Sequence, residues 1–426
     1  MQEENSMVSL RGKTETPVAH TGGLAWLLHP IACDDFLNST WGQQSLLIRR
    51  DQSDYFQDIP GIDEVDEMIT TTMSGRLAFE DDASRLVRTD AKGCVSQRAF
   101  RITSTGLPDV QHIYQAYHEG YTIILNGVHR RSSKIANLSQ ALEASLHHPV
   151  GVNMYLTPSH SQGFDLHTDD HDVFVLQLHG TKIWHVANAG ALSPLVERST
   201  RPLEHPKLRT LELRPGDVLY IPRGYAHRAQ AAAASSLHLT IGIHAFCWAD
   251  LLTEILRLLS DENSEFDGAL SPGFLNQEVD LEVVERLGNQ VVQALLDESL
   301  ARRAKESLGT RLIGSGKAVS GGHFRALDRV SQLTHDSFVR RTRVMYHRIR
   351  SNPSEVAIEF DGNFVSGPPF LENALLFIAE REIFQVGGLP EIGTFPPSAK
   401  IELVSRLIRE GFLTFADDTL EDNYGT

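Results

Sequence analysis

The sequence predicts a multidomain α+β protein: a sandwich or barrel of short strands, then a helical segment, then a small mixed module. Three observations carry this. At 426 residues the chain is too long for one hydrophobic core, so two or three domains are expected. Residues 100–245 hold short apolar runs separated by Pro and Gly turns, a spacing that suits an all-β sandwich or barrel. After Trp248 the apolar residues recur at helical spacing.

The elements follow in order. Residues 1–20 are polar (Gln2, Glu3, Glu4, Asn5, Ser6) and read as a disordered lead-in. They lack the apolar stretch of a secretory signal. A packed helical start is expected over 25–50, with Leu27-Leu28-His29-Pro30 and Asp34-Asp35-Phe36-Leu37, followed by a short strand Leu46-Leu47-Ile48. Strands are then expected at Tyr121–Leu125, Val152–Leu156, Val173–Leu178, Lys182–Val186, Val218–Ile221 and Leu237–Ile243. Turns at Pro215-Gly216-Asp217 and Pro222-Arg223-Gly224 punctuate them.

Leu251, Leu252, Ile255, Leu256 and Leu259 mark a helix after Trp248. A second helix is expected over 279–305, where Leu281, Val284, Leu287, Val291, Leu295 and Leu296 form a broad apolar stripe. That stripe fits either an internal core or a dimer face. Residues 314–323 read as a linker. Two further helices are expected at 371–382 and 398–410, the second ending at Gly411, a natural C′ residue. A strand-like Phe412–Phe415 follows, and two helices before a short β-ribbon are compatible with a winged helix.

Charge and cysteine usage narrow the class. The formal net charge is -16, which favours solubility and would also attract a basic partner. The acid is uneven. Residues 301–350 carry +9, so the remainder carries -25. Cys33, Cys94 and Cys247 are odd in number and widely spaced. That argues against a disulfide framework or zinc knuckle and fits a reducing, cytoplasmic setting. No run of ~18 apolar residues exists to span a membrane.

The chemistry-bearing residues begin with His167-Thr168-Asp169. In a strand, positions i and i+2 face the same way, so both side chains would reach one ion. A lone His-x-Asp is common by chance. The downstream Gly216-x5-Pro222-x-Gly224-x2-His227 raises the odds, because its turn aims His227 inward, and it closely resembles the second motif of cupins. Two imidazoles and a carboxylate with open positions beside them are the signature of mononuclear non-haem Fe(II) oxygenases. Lys182 shares parity with Trp184 and Val186 in an otherwise apolar strand. A lysine pointing into a barrel needs an anion, and a dicarboxylate cosubstrate chelating the iron would supply one.

Gly151-Val-Asn153-Met-Tyr155-Leu-Thr157-Pro158, Ser161-Gln162-Gly163, His167-Thr-Asp169-Asp170 and Phe174 to Trp184 together resemble the JmjC-type ribosomal oxygenases. These are cupin-fold Fe(II) and 2-oxoglutarate-dependent protein hydroxylases. The segments Leu28 to Arg50, Leu213 to His227 and Leu237 to Ile241 match as well, so the likeness covers roughly 20–245. It implies a double-stranded β-helix (cupin/JmjC jelly roll) catalytic domain over 21–248, a helical dimerisation domain over 249–325 and a winged-helix domain over 326–426. Carried over, His167, Asp169 and His227 would bind Fe(II). Lys182 would pair with the distal carboxylate of 2-oxoglutarate. Asn153 and, more weakly, Thr240 would line the same pocket, and Tyr155 and Gln162 would face the substrate entrance or be ordinary strand and loop residues. The stretch between Lys182 and Gly216 matches no particular member, and Ala231 stands where cupins usually carry Asn.

The function this implies is hydroxylation of a His or Arg side chain in a protein or peptide, with a basic ribosomal protein as the leading substrate and a homodimer as the expected assembly. Tailoring of a ribosomally made peptide natural product and N-methyl-lysine demethylation are the rival activities. Nucleic-acid binding through the winged helix and Arg340, Arg341, Arg343, Arg348 and Arg350 is the non-enzymatic rival, disfavoured because charge runs are usually solvated faces.

Overall fold

The computed structural model describes residues 23–71, 84–187, 207–315, 322–343, 345–393 and 396–417. The expected lead-in over 1–20 and the centre of the expected 314–323 linker lie outside the described residues.

The N-terminal half opens with helices α1 (Leu24–Leu28) and α2 (Cys33–Ser39) and strand β1 (Leu46–Ile48), as the sequence predicts. Helix α3 (Ile62–Thr71), strands β2 (Arg85–Thr89) and β3 (Val95–Ala99), and helix α4 (Val110–His118) follow, then β4 (Thr122–Leu125) and α5 (Ser133–Leu146). The remaining strands of this half are β5 (Val150–Thr157), β6 (Asp172–His179), β7 (Lys182–Ala187), β8 (Leu208–Leu213), β9 (Val218–Ile221), β10 (His227–Ala231) and β11 (Ser236–Ile243). All six strands expected over 121–243 are present within one or two residues. Eight strands form an antiparallel sheet in the order β1-β9-β6-β11-β5-β4-β2-β3, and β10-β7-β8 form a second.

Strand parity explains how this half packs. On β11, Leu237, Leu239, Ile241 and Ile243 enter the main core beneath the helices, so His238, Thr240 and Gly242 fall on the other face. On β5, Val150, Val152, Met154 and Leu156 enter that core, leaving Gly151, Asn153 and Tyr155 opposite. β6 is buried on both faces and reads as a continuous apolar run for that reason. Phe174 and Leu176 join the helix-side core, while Val173 and Val175 meet Trp184, Val186 and Leu213 between the two sheets. The inner face is therefore apolar at one end and polar at the other, and the polar end is where a cavity opens.

Past residue 245, helix α6 (Trp248–Glu262) appears as expected. The single helix expected over 279–305 is instead two, α7 (Leu281–Leu296) and α8 (Glu298–Ser315). Asp297 makes the break: its carboxylate accepts from Ser299 N (2.8 Å) and Leu300 N (3.3 Å), capping the second helix at its start. Gly314 and Ser315, placed in a linker by the sequence, close that helix. The apolar stripe of α7 is largely uncovered, with Leu281, Val284 and Leu296 all more than half exposed.

The C-terminal segment contains α9 (His323–Arg329), β12 (Phe338–Arg341), β13 (His347–Ser351), β14 (Val356–Phe360), β15 (Asn363–Gly367), α10 (Glu372–Glu380), β16 (Ile383–Gln385), α11 (Ser398–Arg409) and β17 (Leu413–Phe415). The two expected helices and the last strand are found. That strand closes no ribbon with its sequence neighbours, however; it pairs with β12 in a sheet ordered β16-β12-β17. Part of the basic run here is paired within the fold. Arg343 meets Asp361 at 2.6 Å, Arg348 meets Glu359 at 2.6 Å, and Arg350 meets Glu359 at 2.8 Å. No helix among the described residues is long and apolar enough to cross a membrane.

Candidate metal centre and its cavity

His227 opens β10, directly after the Pro222-Arg223-Gly224 turn. Gly224 sits at φ 76°, a left-handed conformation that glycine adopts without strain. Its N–H donates to the Asp169 carbonyl (2.8 Å). One step further on, His167 N donates to His227 O (3.1 Å) and His227 N donates to His167 O (2.8 Å). These three bonds fasten the 167–169 segment to the start of β10. The sequence places His167 and Asp169 in a regular strand, but they lie in a loop, where His167 forms an isolated bridge with His227.

The side chains converge accordingly. One ligand atom from each of His167, Asp169 and His227 can be chosen so that all lie within 4.8 Å of one another. His227 Nε2 is 3.4 Å from Asp169 Oδ2 and His167 Nε2 is 3.9 Å from Asp169 Oδ1. Each imidazole is also fixed from behind. His167 Nδ1 lies 2.8 Å from Asp165 O, and His227 Nδ1 lies 2.9 Å from Tyr225 O. A carbonyl oxygen only accepts, so each Nδ1 carries the proton and each Nε2 is left to bind a metal, the usual outer support of a metal-binding histidine. Burial works against the Asp169 carboxylate. The hydrogen bond to His227 and the charges of His227, His167 and His171 outweigh that and hold it well below the usual carboxylate range. The donor set, two imidazoles and one carboxylate on one side, suits a divalent iron with free positions opposite.

The triad opens into a cavity of about 710 Å³ that is also lined by Asn153, Tyr155, Lys182 and Thr240. Asn153 and Thr240 are cross-strand partners on β5 and β11, and Asn153 Oδ1 accepts from Gly127 N at 3.0 Å. Gln162 does not line the cavity; its side chain donates to Phe164 O at 3.1 Å. Tyr155 does line it. Its hydroxyl is pushed up to about 12, by burial first and then by the Asp169 charge, so it presents a proton rather than a phenolate.

Lys182 reaches the cavity because β7 alternates as the sequence predicts, with Lys182, Trp184 and Val186 buried and Ile183 and His185 turned outward. Gly180 (φ 63°) makes the preceding turn, where a Cβ would stand 1.9 Å from Ser235 O. Lys182 is 3 % exposed. Its Nζ donates to Thr157 Oγ1 (3.0 Å) and lies 3.3 Å from His238 Nδ1, and it makes no ion pair with a carboxylate among the described residues. Burial alone lowers its pKa from 10.5 to about 7. A buried amine in this state is placed to receive an anion entering the cavity.

Among the cavity residues that carry no expectation from sequence are His238 and Arg85. His238 is buried against Lys182, and Arg85 lines the cavity from β2. His238 was legible in principle, because Leu237, Leu239 and Ile241 alternate with it. Arg85 was not, since nothing local marks β2 as a neighbour of the triad.

Residues 128–251 match the family model described as a JmjC domain. The chain is 31 % identical over 263 residues to ribosomal oxygenase 1 of Rattus norvegicus, covering 59 % of this chain and 42 % of that protein. It is 29 % identical over 252 residues to the bifunctional lysine-specific demethylase and histidyl-hydroxylase NO66 of Dictyostelium discoideum, covering 57 % of this chain and 47 % of that one. The chain thus spans under half the length of these curated relatives. Among solved structures, the ribosomal oxygenase YcfD of Escherichia coli aligns over 91 % of this chain and 98 % of its own, with a TM-score of 0.51 at 16 % identity; a structure of that protein in complex with cobalt and 2-oxoglutarate aligns similarly (TM-score 0.50). Two facing sheets with a His-Asp-His cluster between them fit these likenesses: the chain carries a JmjC domain over residues 128–251 and is similar to ribosomal oxygenases.

Proposed function

We propose that this protein is an Fe(II)- and 2-oxoglutarate-dependent oxygenase that hydroxylates a side chain of a protein or peptide, a ribosomal protein being the leading substrate class. The observation that carries this is the sharing of one cavity by an iron-type donor set and a buried lysine with no carboxylate of its own. When bound, the metal and cosubstrate together supply an oxidant able to attack an unactivated C–H bond, with succinate and CO2 as coproducts. The chain's own residues do the rest. His167, Asp169 and His227 hold one side of the metal, and Lys182 receives the distal carboxylate. Asn153, Thr240 and the Tyr155 hydroxyl line the approach, and the apolar packing around Trp184 excludes water.

Between the two favoured targets, we favour histidine over arginine. Arg85 lines the same cavity and makes no ion pair with a carboxylate among the described residues; a second guanidinium beside it would be repelled. The names of the relatives support a histidine target and also keep N-methyl-lysine demethylation as the second reading. Mass spectrometry of ribosome-derived peptides after incubation with Fe(II) and 2-oxoglutarate separates them: gain of one oxygen supports the first, loss of methyl with formaldehyde release the second.

The uncovered stripe of α7 supports a homodimer formed by the helical segment, since an apolar face of this kind marks an interface. A winged-helix role for the C-terminal segment is proposed on architecture alone. Its paired arginines argue against a nucleic-acid surface, so binding of DNA or RNA with a steep salt dependence would overturn that part of the reading.

A further inference from the structure

Lys182 is not alone at its end of the cavity. His238 is 2 % exposed and holds its Nδ1 3.3 Å from the lysine Nζ. Its imidazole is clamped on two sides. Tyr155 stacks on it at 4.8 Å with 9° between the planes, and Trp184 meets it edge-on at 5.5 Å and 83°. The strand is irregular where this happens, because the β11–β6 register shifts between Leu237 and His238. A bulge of that kind re-aims a side chain and is found beside active sites. Burial and the nearby Lys182 keep the imidazole neutral, well below its ordinary titration range, so it accepts from the lysine instead of repelling it.

The same Trp184 indole that touches His238 lies 6.0 Å, ring to ring, from the metal-site His227. The indole therefore flanks both the metal end and the lysine end of the cavity, and His238 lines its wall beside Lys182. We infer that His238 determines which dicarboxylate this protein accepts, by fixing the length of the slot between the metal centre and Lys182. A five-carbon 2-oxo dicarboxylate fits with its distal carboxylate on Lys182, and the next homologue meets the imidazole. The inference rests on the proposed reading of the cavity as a 2-oxoglutarate site. It makes His238 a specificity-determining residue that acts by its volume and also positions Lys182 through Nδ1.

Calorimetric binding to the full-length protein loaded with Mn(II), without oxygen, tests it. The probes are 2-oxoglutarate and 2-oxoadipate. The wild type is expected to prefer 2-oxoglutarate by about 10- to 200-fold, the range one surplus methylene commands in a fixed pocket. His238→Ala should bring that ratio close to one while leaving the Mn(II) affinity unchanged. His238→Phe, which keeps the ring and loses the acceptor, should weaken both dicarboxylates and preserve the ratio. If His238→Ala does not fold, His238→Asn, shorter than imidazole, decides by the same ratio. A wild type that discriminates alongside a shortened variant with the same ratio overturns the inference and leaves the oxygenase reading standing. A wild type that binds neither dicarboxylate overturns both.

Discussion

His167 and His227 exchange two main-chain hydrogen bonds, N–H to C=O in each direction, at 3.1 and 2.8 Å. The pairing of these two histidines is thus a feature of the backbone. Gly224 N extends it to the Asp169 carbonyl at 2.8 Å. Gly224→Ala keeps every side chain of the triad but strains a residue at φ 76°, at about 1–2 kcal/mol. The expected outcome is a lower melting temperature and an Fe(II) affinity reduced about tenfold or more, as when outer support of a metal site is disturbed. Metal titration and thermal unfolding of the variant check this; unchanged Fe(II) affinity would show that the bridge does not organise the centre.

Lys182 carries a pH prediction. Its pKa of about 7 in the free protein must rise when a carboxylate arrives, so above pH about 7 binding takes up a proton. The apparent affinity for 2-oxoglutarate therefore falls as pH rises above that point. Calorimetry in two buffers of different ionisation enthalpy should reveal proton uptake at pH 8 that fades below pH 6. Lys182→Met should lose the uptake and bind 2-oxoglutarate about 10- to 100-fold more weakly, the cost of a charge-assisted hydrogen bond, with Fe(II) affinity retained.

The same group makes a stability prediction of opposite appearance. A lysine whose folded pKa is depressed from 10.5 to about 7 binds more protons when the chain unfolds. Stability therefore rises with pH across that window. Measured against Lys182→Met, the metal-free wild type should gain stability between pH 7 and pH 10, as read by chemical denaturation. A difference that stays flat over that range would contradict the burial of an unpaired amine.

Arg50 ties the N-terminal segment to the cupin-type turn. Its guanidinium donates to Leu27 O (2.8 Å), His29 O (3.0 Å) and Gly216 O (3.0 Å) and lies 4.2 Å from the Tyr55 ring centroid. Arg50→Ala leaves several carbonyls unsatisfied and is expected to cost about 3 kcal/mol or more. Arg50→Lys should recover less than half, because an ammonium cannot reproduce the planar fork. Denaturation midpoints of the two variants decide it.

The jelly-roll strands and the triad were legible because both rest on short-range signals. Alternation in β5, β6, β7 and β11 assigns inward and outward faces. The Pro222-Arg223-Gly224 turn announces His227, and the parity of Lys182 with Trp184 sends the lysine inward. Other features depend on contacts distant in sequence and left no local mark. The 167–169 segment looks like a strand by spacing, yet it lies in a loop where His167 bridges to His227. The split between α7 and α8 turns on Asp297 acting as a cap inside an otherwise helical stretch. In the C-terminal segment, Phe415 pairs with Val339, a partner some seventy-five positions away, which no local ribbon pattern reveals.

The exposed α7 stripe sets the assembly prediction. Sedimentation or light scattering at micromolar concentration should report two chains for the wild type. Leu281→Glu combined with Leu296→Glu, both at exposed apolar positions, should yield folded single chains. A wild type that is monomeric under these conditions would remove the dimer.

The most direct measurement is anaerobic titration of the full-length protein with Fe(II) and then 2-oxoglutarate, comparing wild type, His167→Ala and Lys182→Met. The wild type should bind Fe(II) and then develop a visible charge-transfer band as 2-oxoglutarate chelates it. His167→Ala should lose both, and Lys182→Met should bind Fe(II) normally but need much more 2-oxoglutarate for the band. A wild type that forms no such complex, or three proteins that titrate identically, would contradict the assignment of His167, Asp169 and His227 as an iron centre served by Lys182.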